Sequence, residues 1–285
     1  MKVAIAGYSG LIGSALVRTL EEKEVRVVRI TRNHLYGEAS SLTDLIGGCE
    51  VVINLAGAPL IKRWTKSNRK QIYDSRILST RALVHAVSTM EAPPALFVNA
   101  SGVGIYEDKG IFTESNALLS GGFIGKLCQD WEREASAVED HCRLVIFRLG
   151  VVLDRQGGAL SRLLPFFRAG LGGRIGNGRQ YFPWVHLSDV IRAFLFVMED
   201  KRCHGVYNLS APQVINNIQF TRALAGVLKR PALIPVPAFV LSLLFGKGSQ
   251  VLTSGQGVLP QRLTEQGFSF HFPDINLAFK DLLQT

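Results

Sequence analysis

Five short apolar runs in the first 150 residues constrain this chain more than any other feature. They read "KVAIAG", "VRVVRI", "EVVINLAG", "ALFVNAS" and "RLVIFRLG", mostly without polar alternation. Strands covered on both faces of a parallel sheet read this way, because neither face meets water. Between the runs lie helical patterns: "LIGSALVRTLEE", "SLTDLIGG", the long "TKSNRKQIYDSRILSTRALVHAVSTM", and an amphipathic stretch through Lys126. Alternating strand and helix predict an α/β fold built on a doubly wound parallel sheet, with ligands bound beyond the strand C-termini. The 285 residues, 47% hydrophobic and 19% charged, supply a sizeable core.

The first strand runs into "AIAGYSGLIGSAL", which sets Gly7, Gly10 and Gly13 at GxxGxxG spacing between a strand and a helix. The first glycine permits the tight turn, the second admits a pyrophosphate to the backbone, and the third lets helix and strand pack closely. Ser9, Leu11 and Ile12 belong to the same loop and helix start, where free amides and the helix dipole favour a phosphate. A strand–turn–helix context raises the glycine triplet from a weak signal to a dinucleotide site, and the fold to a Rossmann fold. The second strand ends in Thr31, Arg32 and Asn33, with no carboxylate until Glu38. An arginine there suits the extra phosphate of NADP, where NAD binders place Asp or Glu.

Two later strand ends fit the same ligand. "NLAG" (Asn54, Leu55, Ala56, Gly57) falls beside the adenosine half, and "NAS" (Asn99, Ala100, Ser101) beside the reactive half. Small residues at successive strand ends point to one shared ligand. The expected division is a dinucleotide-binding core over 1–156 and, over 157–285, interleaved sheet-completing elements with a small C-terminal substrate lobe. In the second part, "GRIGNGRQYFPWVHLSDV" is a turn-rich loop with three aromatics.

The net charge of +9 comes from scattered Lys and Arg, and no nucleic-acid motif accompanies it. The charge therefore points to small anions, and the expected partner is a small-molecule substrate, with no nucleic acid. Cys49, Cys128, Cys142 and Cys203 form no CxxC pair and lack metal-ligand spacing with His, so neither zinc nor disulfides are expected. The most apolar late run, "ALIPVPAFVLSLLF", is broken by Pro235 and Pro237 and is too short for a bilayer. The chain opens directly on a strand, so a signal peptide is not expected. A soluble, cytoplasmic protein with no membrane partner is the expectation, and a homodimer is an open one.

Several longer motifs carry a resemblance: GYSGLIG from Gly7, NLAG from Asn54, RW at Arg63 and Trp64, and SR at Ser75 and Arg76. SGVGIY from Ser101, KLCQDWE from Lys126, RLGVVL from Arg148 and GRQYFPWVHLSD from Gly178 add to it. Over nearly its whole length the chain resembles the extended short-chain dehydrogenase/reductase superfamily. Within it, the chain looks like the epimerase-like subgroup whose members go under the names nucleoside-diphosphate-sugar epimerase and cell-division inhibitor. The resemblance implies a Rossmann domain with bound NADP, and adds Ser75, Leu149, Gly150 and Val151 to the expected cofactor shell.

It also exposes a gap. In the superfamily a Ser or Thr cooperates with a Tyr-x-x-x-Lys, the Tyr moving a proton while the Lys lowers its pKa and holds the nicotinamide ribose. Ser101 and Lys126 are present, but the Tyr position is Gly122. Tyr106 is an expected substitute, or a packing or substrate residue, and His186 is the next candidate. Arg63, Trp64, Arg179, Tyr181 and Trp184 form an expected substrate wall, arginines for an anion and aromatics for a flat apolar surface. For the tryptophans a plug between lobe and sheet is an equal alternative. The expected function is an NADP(H)-dependent oxidoreductase or epimerase. The alternative is a non-catalytic NADP(H)-binding sensor acting through protein partners.

Overall fold

Apolar runs without alternation should lie between two helical layers, and the computed structural model, which describes residues 1–284, has that construction. The first half runs β1 (Lys2–Ala6), α1 (Leu11–Glu22), β2 (Arg26–Ile30), α2 (Arg32–Tyr36), α3 (Ala39–Ile46) and β3 (Val51–Asn54). It continues with α4 (Lys66–Ser88), β4 (Leu96–Gly102), β5 (Ile111–Phe112), α5 (Phe123–Ser136), β6 (Arg143–Leu149) and β7 (Val151–Leu153). Then follow α6 (Gly158–Arg168), β8 (Trp184–His186), α7 (Leu187–Glu199), β9 (Gly205–Leu209) and α8 (Asn217–Leu228). The chain closes with α9 (Ala238–Phe245), α10 (Gln250–Thr253), β10 (Gly257–Val258), α11 (Gln261–Glu265) and α12 (Ile275–Gln284).

The main sheet has the order β2-β1-β3-β4-β6-β9, with every pairing parallel. The five expected strands supply five of its members, and β9 from the second half supplies the sixth. Alternate residues of each strand reach opposite helical layers. Val3 and Ile5 pack with Leu16 and Leu20 of α1 and Phe194 of α7, whereas Ala4 and Ala6 pack with Leu83 and Val87 of α4. That two-sided burial is why the runs lack polar positions.

Strand order reverses at β1, from which the chain passes first to β2 and then back to β3 on the other side. A crevice opens at such a switch point, outside the strand C-termini. The register aligns polar residues along this edge. Asn54 stands opposite Asn99, and Ser101, Arg148 and Asn208 stand in one row across β4, β6 and β9. A separate core under α6, α8 and α12 gathers Leu160, Leu164, Trp184, Phe220 and Phe279. The proline-broken run becomes α9, which starts directly after Pro237 and ends at Gly246. Among the described residues no helix is long and apolar enough to cross a membrane.

Candidate functional site

The three loop glycines divide the work unequally. Gly7 has φ +77°, and a Cβ there would lie 2.5 Å from the Leu55 carbonyl oxygen. A Cβ on Gly13 would lie 2.3 Å from the Gly7 oxygen. Both glycines are therefore demanded by the backbone itself. Gly10 has φ −77° and ψ 175°, ordinary extended values. A Cβ on it would meet only the Gly7 oxygen, at 3.3 Å. The space in front of Gly10 is open, exposed, and flanked by exposed Ser9. Gly10 caps α1 with no side-chain hydrogen bond, leaving the first-turn amides from Leu11, Ile12 and Gly13 for an anion. The Leu11 side chain leans on the Gly157–Gly158 turn, a Cβ on Gly157 falling 2.6 Å from Leu11 Cδ1. The cradle fits a pyrophosphate, and a side chain at position 10 would fill it.

At the end of β2, Thr31 caps α2 reciprocally with His34, and Arg32 stands exposed as the first helical residue. The first turn carries no acidic group. This arrangement suits a ribose phosphate.

The ends of β3 and β4 shape the crevice from beneath. Asn54, fully buried, donates to Thr80 Oγ1 and Asn99 Oδ1, both at 2.8 Å, while its own Oδ1 accepts from the Ala56 amide at 3.1 Å. Asn99 donates to the Ala100 carbonyl at 2.7 Å. Ser75 Oγ donates to the Ile72 carbonyl and accepts from the Ala58 amide. The side chains of Asn54 and Ser75, expected at the cofactor, also hold the Leu55–Ala58 loop, and Asn99 braces Asn54. A ligand meets the small residues they position, above all exposed Gly57. Leu149 and Val151 are half-buried, whereas Gly150 donates its amide to the Leu209 carbonyl beneath Pro183 and closes the β6 end.

Tyr106 requires a correction. Its ring is 1% exposed, stacked on Phe112, and its hydroxyl donates to Asn208 Oδ1 at 2.7 Å and accepts from Arg148 Nη1 at 2.8 Å. Burial pushes the phenol pKa up against the opposing pull of Arg148. A phenol locked in the core is neither the relocated acid nor a substrate contact. Arg148 in turn makes a two-pronged bond to Glu132, Nε to Oε1 at 2.8 Å and Nη2 to Oε2 at 2.7 Å. Burial disfavours the Arg148 cation, but the bonds and charge of Glu132, with Tyr106, outweigh it and raise its pKa. Glu132 Oε1 also accepts from Ser101 Oγ at 2.7 Å. Ser101 has one proton and has spent it, so toward any ligand it acts only as an acceptor.

His186 and Trp184 are corrected too. His186 caps α7, its Nδ1 accepting from the Ser188 amide at 3.1 Å, with its ring against Phe272 and Nε2 3.3 Å from Asp281. Burial lowers its pKa, with Asp281, Asp189 and Asp154 opposing. Trp184 is 1% exposed in the lobe core, the plug rather than the wall.

Trp64 does line open space. It meets Phe123 edge-on at 5.1 Å, with Arg69 4.3 Å over the Phe123 ring. Two cavities of about 390 and 490 Å³ share Trp64, Arg69, Phe123 and Lys247. Arg63 lies beside Gly246 at the same α9–α10 junction. Arg179 is exposed, and the Tyr181 backbone packs on Gly255 just after α10. Arg63 thus meets the chain just before α10, and Tyr181 just after it. Lys126 is exposed on the first turns of α5.

Arg76 was not singled out for any role by its sequence, yet it sits at the crevice. Its Nη1 donates to the Ala58 and Ile72 carbonyls, both at 3.1 Å, and its guanidinium stands 5.2 Å over the Trp131 ring. Burial lowers its pKa, and among the described residues no carboxylate pairs with it.

Residues 3–210 match the NAD dependent epimerase/dehydratase family, and residues 236–282 match a domain of unknown function, DUF1731. Epimerase family protein SDR39U1 of Mus musculus is 36% identical over 99% of this chain and 100% of its own. The chloroplastic homolog from Arabidopsis thaliana is 33% identical over 100% of this chain and 87% of its own. The crystal structure of human SDR39U1 (isoform 2) with NADPH superposes with a TM-score of 0.94 at 32% identity, covering 100% of both chains.

Proposed function

The chain belongs to the NAD dependent epimerase/dehydratase family, and from that premise we propose an NADP(H)-dependent oxidoreductase or epimerase of the extended short-chain dehydrogenase type, acting on a small anionic molecule. The observation that carries the reading is the open cradle at Gly10 with Arg32 at the next strand end. The NADPH bound by the human relative supports the choice of cofactor. Bound, NADP(H) supplies or takes the hydride. The first-turn amides of α1 hold its pyrophosphate, Arg32 its ribose phosphate, and Lys126 the nicotinamide ribose, three ammonium hydrogens serving two hydroxyls. Ser101 orients a ligand as an acceptor. Arg63 and Arg179 supply positive charge to an anionic substrate. The four free thiols suit a reducing, cytoplasmic setting.

One observation favours a second reading. With Gly122 in place of the phenol and Tyr106 locked in the core, a non-catalytic NADP(H)-binding sensor is also supported. Calorimetry with Lys126→Met, alongside hydride exchange across a panel of anionic carbonyl compounds, separates the two. Lys126→Met is expected to weaken NADPH binding about tenfold, the worth of one charge-assisted bond. Unchanged affinity would remove the ribose role. Wild-type hydride exchange on any panel member supports the enzyme, and complete silence with tight NADPH binding supports the sensor.

A further inference from the structure

The segment before α9 and α9 itself carry large apolar side chains that the fold leaves uncovered. Leu233, Ile234, Phe239, Leu243 and Leu244 are all exposed, Leu233 at 84%, Phe239 at 72% and Leu243 at 74%. Exposed Leu171 extends the set: it follows Gly170, where a Cβ would lie 3.6 Å from Pro231. Ser242 is the one polar residue of α9, and Leu241 the one buried residue. At 3.6 residues per turn, exposed Ala238, Phe239, Leu243 and Leu244 spread over roughly 240° of the helix circumference. Single exposed apolar residues are ordinary, but a clustered set marks a surface that something covers.

Charge selects the occupant. From Arg155 to Ser188 and from Lys201 to Thr264 the chain holds twelve Lys and Arg and no Asp or Glu. Four of these, all exposed, frame the apolar set. Lys229 and Arg230 directly precede it, Lys247 follows α9, and Arg174 lies alongside, its carbonyl accepting from the Val236 amide at 2.8 Å. Exposed Arg63 adds a fifth cation, its Cγ 3.7 Å from where a Cβ on Gly246 would lie. A second copy docked face to face would set these cations against their own counterparts, a like-charge contact that costs affinity. A groove in a partner protein covers one stripe of a helix, whereas α9 is apolar around most of its girth. An apolar medium with an anionic surface satisfies both features.

We propose that α9 and its cationic frame dock on an anionic phospholipid bilayer, α9 entering one leaflet while the cations meet the headgroups. Eight residues reach about 12 Å, far short of the roughly 30 Å hydrocarbon core. They suffice for a helix buried about 5–10 Å at the headgroup boundary. The proposal replaces the expectation, drawn from the absence of a span, that the protein has no membrane partner. Ser242 and Lys247 also line the cavity that Trp64 and Phe123 share, so docking sets that cavity beside the lipid surface.

The test is flotation of the full chain with vesicles of phosphatidylcholine alone, and of phosphatidylcholine with about 30% phosphatidylserine. Wild type is expected to float with the mixed vesicles and to bind at least about tenfold more weakly to phosphatidylcholine alone. Binding to the mixed vesicles should fall as salt is raised. Phe239→Ser with Leu243→Ser removes the apolar contact and is expected to cost at least about tenfold. Arg230→Gln with Lys247→Gln removes two headgroup contacts and is expected to cost about tenfold or more. All four side chains are exposed, so both variants should keep the fold, with NADPH affinity within about twofold of wild type. Wild type that ignores the mixed vesicles, or floats equally with both kinds, overturns the proposal, as do variants that float like wild type. So does binding to soluble polyglutamate that matches vesicle binding and survives Phe239→Ser with Leu243→Ser, because charge alone then explains it. A dimer in sedimentation velocity that the same double variant dissolves, without vesicle binding, assigns the face to a second copy and overturns it too.

Discussion

The unequal loop glycines allow binding and folding to be separated by two single substitutions. Gly10→Val puts a branched side chain where the structure has open space and only one neighbour, the Gly7 oxygen at 3.3 Å. Its φ of −77° and ψ of 175° lie where β-branched residues are at ease. The cost to stability should stay near that of an ordinary surface change, about 0.5 kcal/mol. The same side chain fills the pyrophosphate cradle. NADPH affinity should fall at least about 100-fold, equivalent to about 2.7 kcal/mol. Gly13→Ala behaves in the opposite way. Its Cβ would be 2.3 Å from the Gly7 oxygen and 2.8 Å from Tyr8 Cα, contacts with backbone that no rotamer relieves. Overpacking of this kind costs about 1–3 kcal/mol, which in a chain of this size lowers Tm by several degrees. Calorimetric titration with NADPH and thermal melts of both variants decide the matter. If Gly10→Val binds NADPH within twofold of wild type, or melts as low as Gly13→Ala, the division of labour drawn here is wrong.

The remaining predictions concern charge and the buried groups. Arg32→Ala should remove a charge-assisted bond worth about 1.5–3 kcal/mol to NADPH and leave NADH affinity nearly unchanged, so parallel titrations of the two cofactors should show the preference narrowing. Tyr106→Phe leaves Arg148 Nη1 and Asn208 Oδ1 facing a ring edge, which should cost about 1–3 kcal/mol of stability. NADPH affinity and any turnover should persist in that variant, and a selective loss of turnover without destabilisation would restore Tyr106 as the acid. His186 has its folded pKa depressed, chiefly by burial, so below the unfolded value of about 6.5 the unfolded chain takes up the proton first. Stability should therefore be full above that pH and fall as pH drops toward the folded pKa, and melts of His186→Asn from pH 7 to 5 should show a flatter slope than wild type.

The sheet was legible because two-sided burial leaves its mark on every residue of a strand, and Val3 to Ala6 send alternate side chains into two different helical layers. The glycine loop was legible because its constraints are local. The polar row was not, because its members meet across 16 to 102 residues. Tyr106 read equally as a substitute acid or as a packing or substrate residue, since nothing near it in sequence announces Asn208. A signal for the Glu132–Arg148 pair did exist. Glu132 sits within the buried stripe of α5 formed by Leu127, Cys128, Trp131 and Ala135, and Arg148 interrupts the apolar run of β6. Opposite charges, each stranded in an apolar pattern, are a reason to pair them. Arg76 was missed for the reverse reason: a lone arginine on a helix rich in basic residues looks solvated, and only its contact with the Ala58 carbonyl distinguishes it. Trp184 and His186 form β8 within a stretch of high aromatic density, and density of that kind serves a lobe core as well as a ligand.

The order in which the chain is made gives the polar row one more consequence. Tyr106 leaves the ribosome 102 residues ahead of Asn208, the acceptor of its hydroxyl. Val103, whose carbonyl already accepts from the Tyr106 amide, precedes by 153 residues the Gln256 side chain that adds a second donor. At about 5–20 residues per second these waits last roughly 5–30 s. Throughout that interval the newborn nucleotide-binding half carries an unfinished edge at β6, with the apolar group of Ile105, Phe112 and Cys128 lacking Val258. The half that contains the glycine loop is therefore expected to fail as a free-standing cofactor-binding fragment, which NADPH titration of residues 1–156 alone checks. Its last strand neighbour, and the partners of its most buried polar atoms, are delivered only when the C-terminal end arrives.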